Sequence, residues 1–264
     1  MGTDFLTQIV EYKKQGVKHQ KQKRSEHSLR VEAEDRQERR LFIKNLETPT
    51  SDAIHVIAEI KRASPSKGDI RPDLDPSDFA SAYERGGASA ISVLTEEHWF
   101  KGSINDLQAA RKATLLPILR KDFIISSYQI YESAVIGADA ILLIVRILSD
   151  NQIKEYLDLC NTLKLDALVE IHTPADIKKI SGTSARLIGI NNRNLSSFDT
   201  DIDRAIELLS CLENNQIPVA ASGIQTRKDI EKTKNAGINH FLIGESIVRS
   251  DNPELFIKSL IDTA

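Results

Sequence analysis

Two lysines and two glutamates stand where short apolar runs of the sequence end. The run "VIAEIKRASPSKG" carries Glu59 and Lys61 just before a small polar loop, and two later runs end at Lys121 and Glu170. Residues two apart on a strand project to the same side, so Glu59 and Lys61 share a face. Buried charges are costly unless they are paired. The four groups therefore predict a mutually neutralising cluster that can donate and accept protons, with a purely structural salt-bridged plug as the alternative.

Eight apolar runs, short and rich in β-branched residues, must position this cluster. They start near Ile54, Ala90, Pro117, Ala140, Ala167, Leu187, Pro218 and His240. Helical patterns lie between them, and capping boxes at Ser149 with Gln152 and at Thr226 with Asp229 mark two helix starts. Continuous apolar strands indicate a parallel sheet that is buried on both faces. Eight such units predict an α/β fold, a single (β/α)8 TIM barrel. A doubly wound open sheet is disfavoured, because no glycine-rich dinucleotide fingerprint follows the first strand.

The first part of the chain differs from the rest, and we divide the single domain into an N-terminal helical extension, 1–50, and the barrel, 51–264. "FLTQIVEYKKQ" predicts an amphipathic helix, and "EAEDRQERRLFIKNL" predicts a second, highly charged one. The basic segment "KKQGVKHQKQKRSEHSLR" between them could bind nucleic acid. It lacks the interleaved aromatic residues that stack on bases, so we interpret it as a solvated connection.

Bulk properties narrow the class of protein. The 264 residues carry a net charge of −3, which gives no general affinity for nucleic acid or anionic membranes. No apolar run approaches the roughly 20 residues that span a bilayer, and no signal-peptide pattern is present. Cys160 and Cys211 fall on predicted helices without metal-ligand spacing, which favours reduced thiols. These features predict a soluble cytoplasmic protein.

Two later segments predict a phosphate site. Active sites of TIM barrels lie at the carboxyl ends of the strands, and phosphates commonly bind between the loops after strands seven and eight. The segments "ASGIQT" and "IGES" fall there, and they place Ser222, Gly223, Gly244 and Glu245 at the two turns. Their backbone N–H groups can face an anion that glycine allows to approach closely. The alternative is that these glycines serve only the geometry of tight turns.

Six segments, in order, resemble the signatures of the indole-3-glycerol phosphate synthase family. They are "AEIKRASPSKG", "ILRKDFI", "ALVEIHT", "IGINNRNL", "ASGI" and "FLIGES". The resemblance implies a carboxy-lyase of tryptophan biosynthesis. Its substrate, 1-(2-carboxyphenylamino)-1-deoxyribulose 5-phosphate, closes to indole-3-glycerol phosphate with loss of carbon dioxide and water. It also implies no metal or organic cofactor, a monomer or weak oligomer, and possible contact with neighbouring pathway enzymes.

The resemblance carries residue roles. It implies catalysis by Glu59, Lys61, Lys121, Glu170, Asn191 and Ser222, binding of the anthranilate end by Ser64, Phe100, Phe123 and Arg193, and phosphate binding by Ser222, Gly223, Gly244 and Glu245. Within this set Lys121 is the acid at ring closure, and Lys61 contacts the substrate anion and assists dehydration. For each phenylalanine, packing in the core is the alternative. His172 is expected to point away from Glu170, and Trp99 is expected in a loop over the site.

One position departs from the family pattern. The family usually has Glu before the Ser-Gly of the seventh strand, and this chain has Ala221. A non-catalytic barrel that binds a phosphorylated ligand or a partner protein is the rival hypothesis. A related sugar-phosphate isomerase is a third, but it needs a cysteine and an aspartate at strand ends, and neither cysteine here ends a strand.

Overall fold

Eight parallel strands close into one barrel. The computed structural model describes residues 5–47, 53–193 and 199–262. The strands are β1 His55–Ile60, β2 Ala90–Leu94, β3 Ile118–Lys121, β4 Ala140–Ile144, β5 Asp166–Ile171, β6 Leu187–Asn191, β7 Ile217–Ala221 and β8 His240–Ile243. Each pairs in parallel with the next, and β8 pairs with β1. The predicted (β/α)8 TIM barrel is confirmed, and the open sheet was the wrong alternative.

Twelve α-helices are described in these three ranges. They are α1 Phe5–Lys23, α2 Glu26–Glu34, α3 Phe42–Leu46, α4 Pro76–Arg85, α5 Ile104–Ala113, α6 Ser127–Val135, α7 Asp150–Leu163, α8 Pro174–Ile180, α9 Asp203–Leu209, α10 Arg227–Asn235, α11 Glu245–Arg249 and α12 Pro253–Ile261. Both predicted capping boxes form, at Ser149 with Gln152 and at Thr226 with Asp229. Within the described residues, no helix combines the length and the apolar character that a membrane span needs.

The N-terminal segment differs from its prediction. The basic run is mostly exposed, as predicted, but it is not a connection between two helices, because α1 continues through it to Lys23. Lysine and glutamine are good helix formers, and nothing in the run stops the helix before Ser25 caps α2. For the segment that follows, we predicted a single charged helix. The structure instead has the end of α2, an irregular segment and the short α3 there. The boundary that we predicted between 50 and 51 lies outside the described residues.

The extension is anchored at the amino end of the barrel by Asp139. The Asp139 carboxylate is inaccessible to solvent, and its Oδ1 accepts hydrogen bonds from Arg36 Nη2 at 3.0 Å and from the Arg40 backbone N–H at 2.8 Å. Its Oδ2 accepts from Arg111 Nη1 at 2.8 Å. In α3, Phe42 is buried in the cluster that fills the barrel interior. The part of the extension from Arg36 through α3 therefore closes the amino end of the barrel.

A small hairpin that the sequence did not predict follows β1. Its strands, Ala63–Ser64 and Gly68–Asp69, are antiparallel. Arg62, at its base, donates to Asp106 Oδ1 at 3.1 Å and to the Leu74 carbonyl at 3.0 Å. The polar loop of the first motif is thereby held over the carboxyl end of the barrel.

Candidate active site

Glu59 lies between two ammonium groups at the carboxyl end of the barrel. Its side chain is 4% exposed; Oε1 is 2.7 Å from Lys61 Nζ, and Oε2 is 3.3 Å from Lys121 Nζ. Strand β1 supplies Glu59, and β3 supplies Lys121 across the barrel mouth. The Glu59 backbone carbonyl is fixed as well, because Tyr83 Oη donates to it at 3.0 Å. The sequence-predicted pairing of Glu59 with Lys61 on one face is therefore present, and it extends to Lys121.

The charges of this trio stabilise one another. Burial alone would raise the pKa of Glu59, but Lys61 and Lys121 outweigh it and lower the pKa to about 2. Burial alone would lower the pKa of Lys121, but the negative charges of Glu59 and Glu170 outweigh it and raise the pKa. At neutral pH the site therefore holds a carboxylate and a protonated Lys121, which is the form that can donate a proton.

Glu170 and Asn191 form the next part of the site. Asn191 Nδ2 donates to Glu170 Oε1 at 3.2 Å, and both residues are buried. The Asn191 Oδ1 in turn accepts the backbone N–H of Arg193 at 3.0 Å. Their strands β5 and β6 are adjacent, so the two side chains meet because the barrel places both strand ends together.

The hairpin after β1 brings Ser64 into the same region. The Ser64 hydroxyl is buried and has no hydrogen-bond partner among the described residues. Arg193 Nη1 donates to the neighbouring Ser66 Oγ at 3.4 Å, so the loop after β6 reaches the loop after β1. An unpaired buried hydroxyl is costly, and a polar group of a ligand would satisfy it. Arg193 therefore contacts the hairpin that carries Ser64, through Ser66.

The loops after β7 and β8 form the second half of the site. Ser222 and Gly223 both have positive φ, at 70° and 82°, so β7 ends in a tight turn. Ser246 Oγ, just after β8, donates to the Ile224 carbonyl at 3.1 Å and links the two loops. Successive N–H groups in such turns form anion-binding concavities. The four residues of the predicted phosphate site, Ser222, Gly223, Gly244 and Glu245, lie in these two loops.

Gly244 has a second contact that sequence reasoning missed. A Cβ atom added at Gly244 would collide with Glu59 Oε1 and would lie 3.1 Å from Glu59 Cβ and Cδ. Its φ of −126° does not require glycine, so the close approach to Glu59 is the reason for the missing side chain. The turn after β8 therefore touches both the predicted phosphate loop and the charged trio.

Phe100 and Phe123 lie side by side at the mouth of the barrel. Their ring centroids are 6.1 Å apart, and both rings are partly exposed. A buried carboxylate, Glu96, holds the loop of Phe100: Oε2 accepts the backbone N–H groups of Trp99 at 2.7 Å and Phe100 at 3.1 Å. Sequence reasoning missed Glu96, although the sequence shows an acidic residue shortly after an apolar run. The rings of Phe100 and Phe123 leave an apolar surface exposed beside the charged trio.

Helix α1 reaches this end of the barrel. Lys13 Nζ is 2.6 Å from Asp122 Oδ1, next to Lys121 along the chain. Asp122 also accepts from Thr95 Oγ1 at 2.7 Å, and its pKa is lowered to about 2, because Lys13 and Arg120 outweigh the opposing effect of burial. Trp99, which we expected over the site, instead packs on α1, 5.3 Å from the Tyr12 ring. No pattern in the sequence indicated either contact.

His172 is also placed differently from the prediction. We expected it to point away from Glu170, but its Nε2 is 3.8 Å from Glu170 Oε1. Residues two apart along an extended chain project to the same side, as Glu59 and Lys61 do, so the ring lies beside the carboxylate. The signal available in the sequence for this contact was a histidine two residues after an acid at the end of an apolar run.

The family model described as indole-3-glycerol phosphate synthase matches residues 6–260 of this chain. The chain belongs to the indole-3-glycerol phosphate synthase family. A relative of that name from Desulfosudis oleivorans is 52% identical over 261 residues, which are 98% of this chain and 99% of the relative. A second, from Syntrophobacter fumaroxidans, is 47% identical over 98% of this chain and 97% of its own length. Thiamine phosphate pyrophosphorylase from Pyrococcus furiosus shares the fold, with a TM-score of 0.58 at 13% identity over 80% of this chain and 95% of that one.

Membership in the indole-3-glycerol phosphate synthase family gives the activity. The enzyme is a carboxy-lyase of tryptophan biosynthesis, which converts 1-(2-carboxyphenylamino)-1-deoxyribulose 5-phosphate to indole-3-glycerol phosphate with loss of carbon dioxide and water. The predictions of family, fold and activity are confirmed. The non-catalytic barrel and the sugar-phosphate isomerase were the wrong alternatives. Ala221, where the family usually has Glu, pairs in register with Asn191 at the end of β7.

Proposed function

We propose that Lys121 is the general acid of ring closure. In that step the aromatic carbon that bears the carboxylate attacks the ketone carbon of the ribulose chain, and the ketone oxygen gains negative charge. A preorganised ammonium stabilises this charge and can transfer its proton to the oxygen. The observation that carries the proposal is the pair of contacts of Glu59 with Lys61 and Lys121, because this carboxylate holds both ammonium groups at the barrel mouth and raises the pKa of Lys121.

Lys61 takes a different role in this proposal. Its ammonium binds the substrate carboxylate until that group leaves as carbon dioxide, and it then assists loss of the new hydroxyl as water. The Glu59 carboxylate, 2.7 Å away, holds this ammonium in place. During dehydration the carboxylates Glu170 and Glu59 accept the proton that leaves the carbon next to the ring nitrogen, while the departing hydroxyl takes a proton from Lys61 and leaves as water; the ring nitrogen keeps its hydrogen. Asn191, which donates to Glu170 Oε1, also hydrogen-bonds the reacting hydroxyl.

The rest of the site binds the two ends of the substrate. The apolar faces of Phe100 and Phe123 pack on the aromatic ring. The unpaired hydroxyl of Ser64, with Arg193, hydrogen-bonds the anthranilate end. The phosphate lies between the loops after β7 and β8, where it meets the N–H groups of Ser222, Gly223, Gly244 and Glu245.

Replacement of Lys121 by alanine tests the central role. We expect kcat to fall by about 10²- to 10⁴-fold, which is the usual contribution of a positioned acid. The assay is the rise of indole fluorescence when purified enzyme meets the substrate. Lys112→Ala, at an exposed position on α5, is the matched control and keeps full turnover. A folded Lys121→Ala enzyme with most of its turnover would remove Lys121 from the mechanism.

We further propose that the enzyme acts in the cytoplasm as a monomer or weak oligomer. Its extension, 1–50, and its barrel, 51–264, form one folding unit, since Asp139 and Asp122 of the barrel each bind residues of the extension. The net charge of −3 argues against nucleic acid as a partner. The partners in this proposal are neighbouring enzymes of the pathway. Sedimentation of the purified protein tests the oligomeric state.

A further inference from the structure

His172 is buried without a hydrogen bond next to a proposed catalytic carboxylate. The residue is 3% exposed, and neither ring nitrogen has a hydrogen-bond partner within the described residues. A neutral imidazole carries one donor and one acceptor. A buried polar group that lacks its partner destabilises the fold. An apolar side chain of similar size would avoid that cost, so packing alone does not account for a histidine here.

The surroundings of the ring fix its place. The backbone N–H of His172 donates to Asp176 Oδ2 at 2.8 Å, and the same carboxylate completes the capping box of α8. On the other side, Nε2 lies 3.8 Å from Glu170 Oε1, slightly beyond hydrogen-bond distance. Asn191 Nδ2 already donates to Oε1, and a carboxylate oxygen has room for a second donor. A small shift of the Glu170 side chain would complete the bond.

The charges that face His172 favour its neutral form. Burial lowers the pKa of the ring most, and the positive charges of Arg146, after β4, and Arg204, on α9, lower it further. The negative charges of Glu170 and Asp176 act in the opposite direction, but the net shift is downward. At neutral pH the ring therefore offers a single uncharged N–H. It can orient Glu170 without competing with Lys121 as a cation.

We propose that His172 is a positioning residue for Glu170. When substrate engages Glu170, the His172 Nε2–H donates to Oε1, and together with Asn191 it keeps the carboxylate turned toward the reacting atoms. This inference rests on the proton-transfer role proposed above for Glu170. It assigns no contact between His172 and the substrate.

The pH dependence of kcat in two variants tests the proposal. His172→Leu removes the donor, and we expect kcat to fall roughly 10- to 100-fold, as for a lost hydrogen bond to a charged group, while KM changes little. The acid limb of the kcat profile should move to higher pH, because a carboxylate that loses a donor is protonated more easily. His172→Gln keeps an N–H donor, and it should keep most of the turnover and the original acid limb. If His172→Leu is unstable, His172→Gln and its pH profile decide.

A double-mutant cycle separates the failure of this inference from the failure of the Glu170 assignment. In a Glu170→Gln background, His172→Leu should cause no further loss, because the two residues act as one unit. Equal losses in both backgrounds, or an unchanged acid limb in His172→Leu, would overturn the role of His172 alone. Full activity of Glu170→Gln would overturn the role of Glu170 and, with it, this inference. His55→Leu, another buried histidine at the amino end of the barrel, is the control and should leave the kcat profile in place.

Discussion

A single methyl group at Gly244 should disable the enzyme through Glu59 rather than through phosphate binding. The Cβ of Gly244→Ala would overlap Glu59 Oε1 and approach Glu59 Cβ and Cδ to 3.1 Å. The φ of Gly244, −126°, lies outside the left-handed region, so its φ alone does not exclude alanine. The collision with Glu59 is therefore the main perturbation, and the barrel itself has no reason to unfold.

The size of the effect follows from the atom that moves. Non-bonded carbon atoms settle at about 3.5–4.0 Å, so the carboxylate must retreat by roughly 1 Å. Oε1 is the atom that lies 2.7 Å from Lys61 Nζ, and the retreat breaks this contact. Loss of a hydrogen bond to a charged group costs about 1.5–3 kcal/mol in stability. Misplacement of catalytic groups by about 1 Å can cost on the order of 10²-fold in rate, so we expect kcat to fall about a hundredfold.

Steady-state kinetics distinguish the two consequences of the substitution. We expect a large fall of kcat with a smaller change of KM, measured by indole fluorescence over a range of substrate concentrations. Gly16→Ala is the control, because no atom lies within 4 Å of its added Cβ in α1. Alanine there should leave kcat unchanged and stabilise the protein by about 0.5–1 kcal/mol.

One result would refute this reasoning. If Gly244→Ala keeps the kcat of the parent enzyme and raises only KM, Gly244 serves the phosphate alone. The position of Glu59 would then be irrelevant to the rate-limiting step, and the proposed role of the charged trio would have to be abandoned.

Three further outcomes are expected. Ala221→Glu restores the usual family residue and should lower the activation free energy that corresponds to kcat/KM by about 1–2 kcal/mol, as for one charged hydrogen bond. A large loss of kcat/KM would show that the pocket is rebuilt around alanine. Lys13→Met should lower the free energy of unfolding in urea by about 3 kcal/mol, since Asp122 keeps a buried charge with one partner fewer, whereas Lys13→Arg should restore most of it. Burial and then the neighbouring His240 lower the pKa of His55 from 6.5 to about 4, so the unfolded chain binds more protons between these values. The free energy of unfolding should therefore be largest above pH 6.5 and should fall by at most about 3 kcal/mol as the pH decreases toward 4. A pH series in which His55→Gln shows the same slope as the parent protein would contradict this.

The sequence by itself determined the barrel and the ends of its strands. Every predicted strand start lies within one residue of the observed one, from His55 in β1 to His240 in β8. The reason is local: a strand buried on both faces needs a short apolar run, and charged residues enter the runs that hold Glu59, Lys121 and Glu170 only near their carboxyl ends. Glu59, Lys121 and Glu170 could be placed at the carboxyl end of the barrel for that reason. The capping boxes were equally readable, because they join residues three apart.

The contacts between these strand ends were decided only by the tertiary structure. Gly244 touches Glu59 because β8 and β1 are neighbours in the closed barrel. Asn191 meets Glu170 because β5 and β6 are neighbours, and Lys13 reaches Asp122 because α1 folds over the barrel mouth. The type and spacing of residues fix the direction of a side chain along one strand. The distance between two strand ends depends instead on how the whole sheet closes and which helix covers it, and no local pattern carries that information.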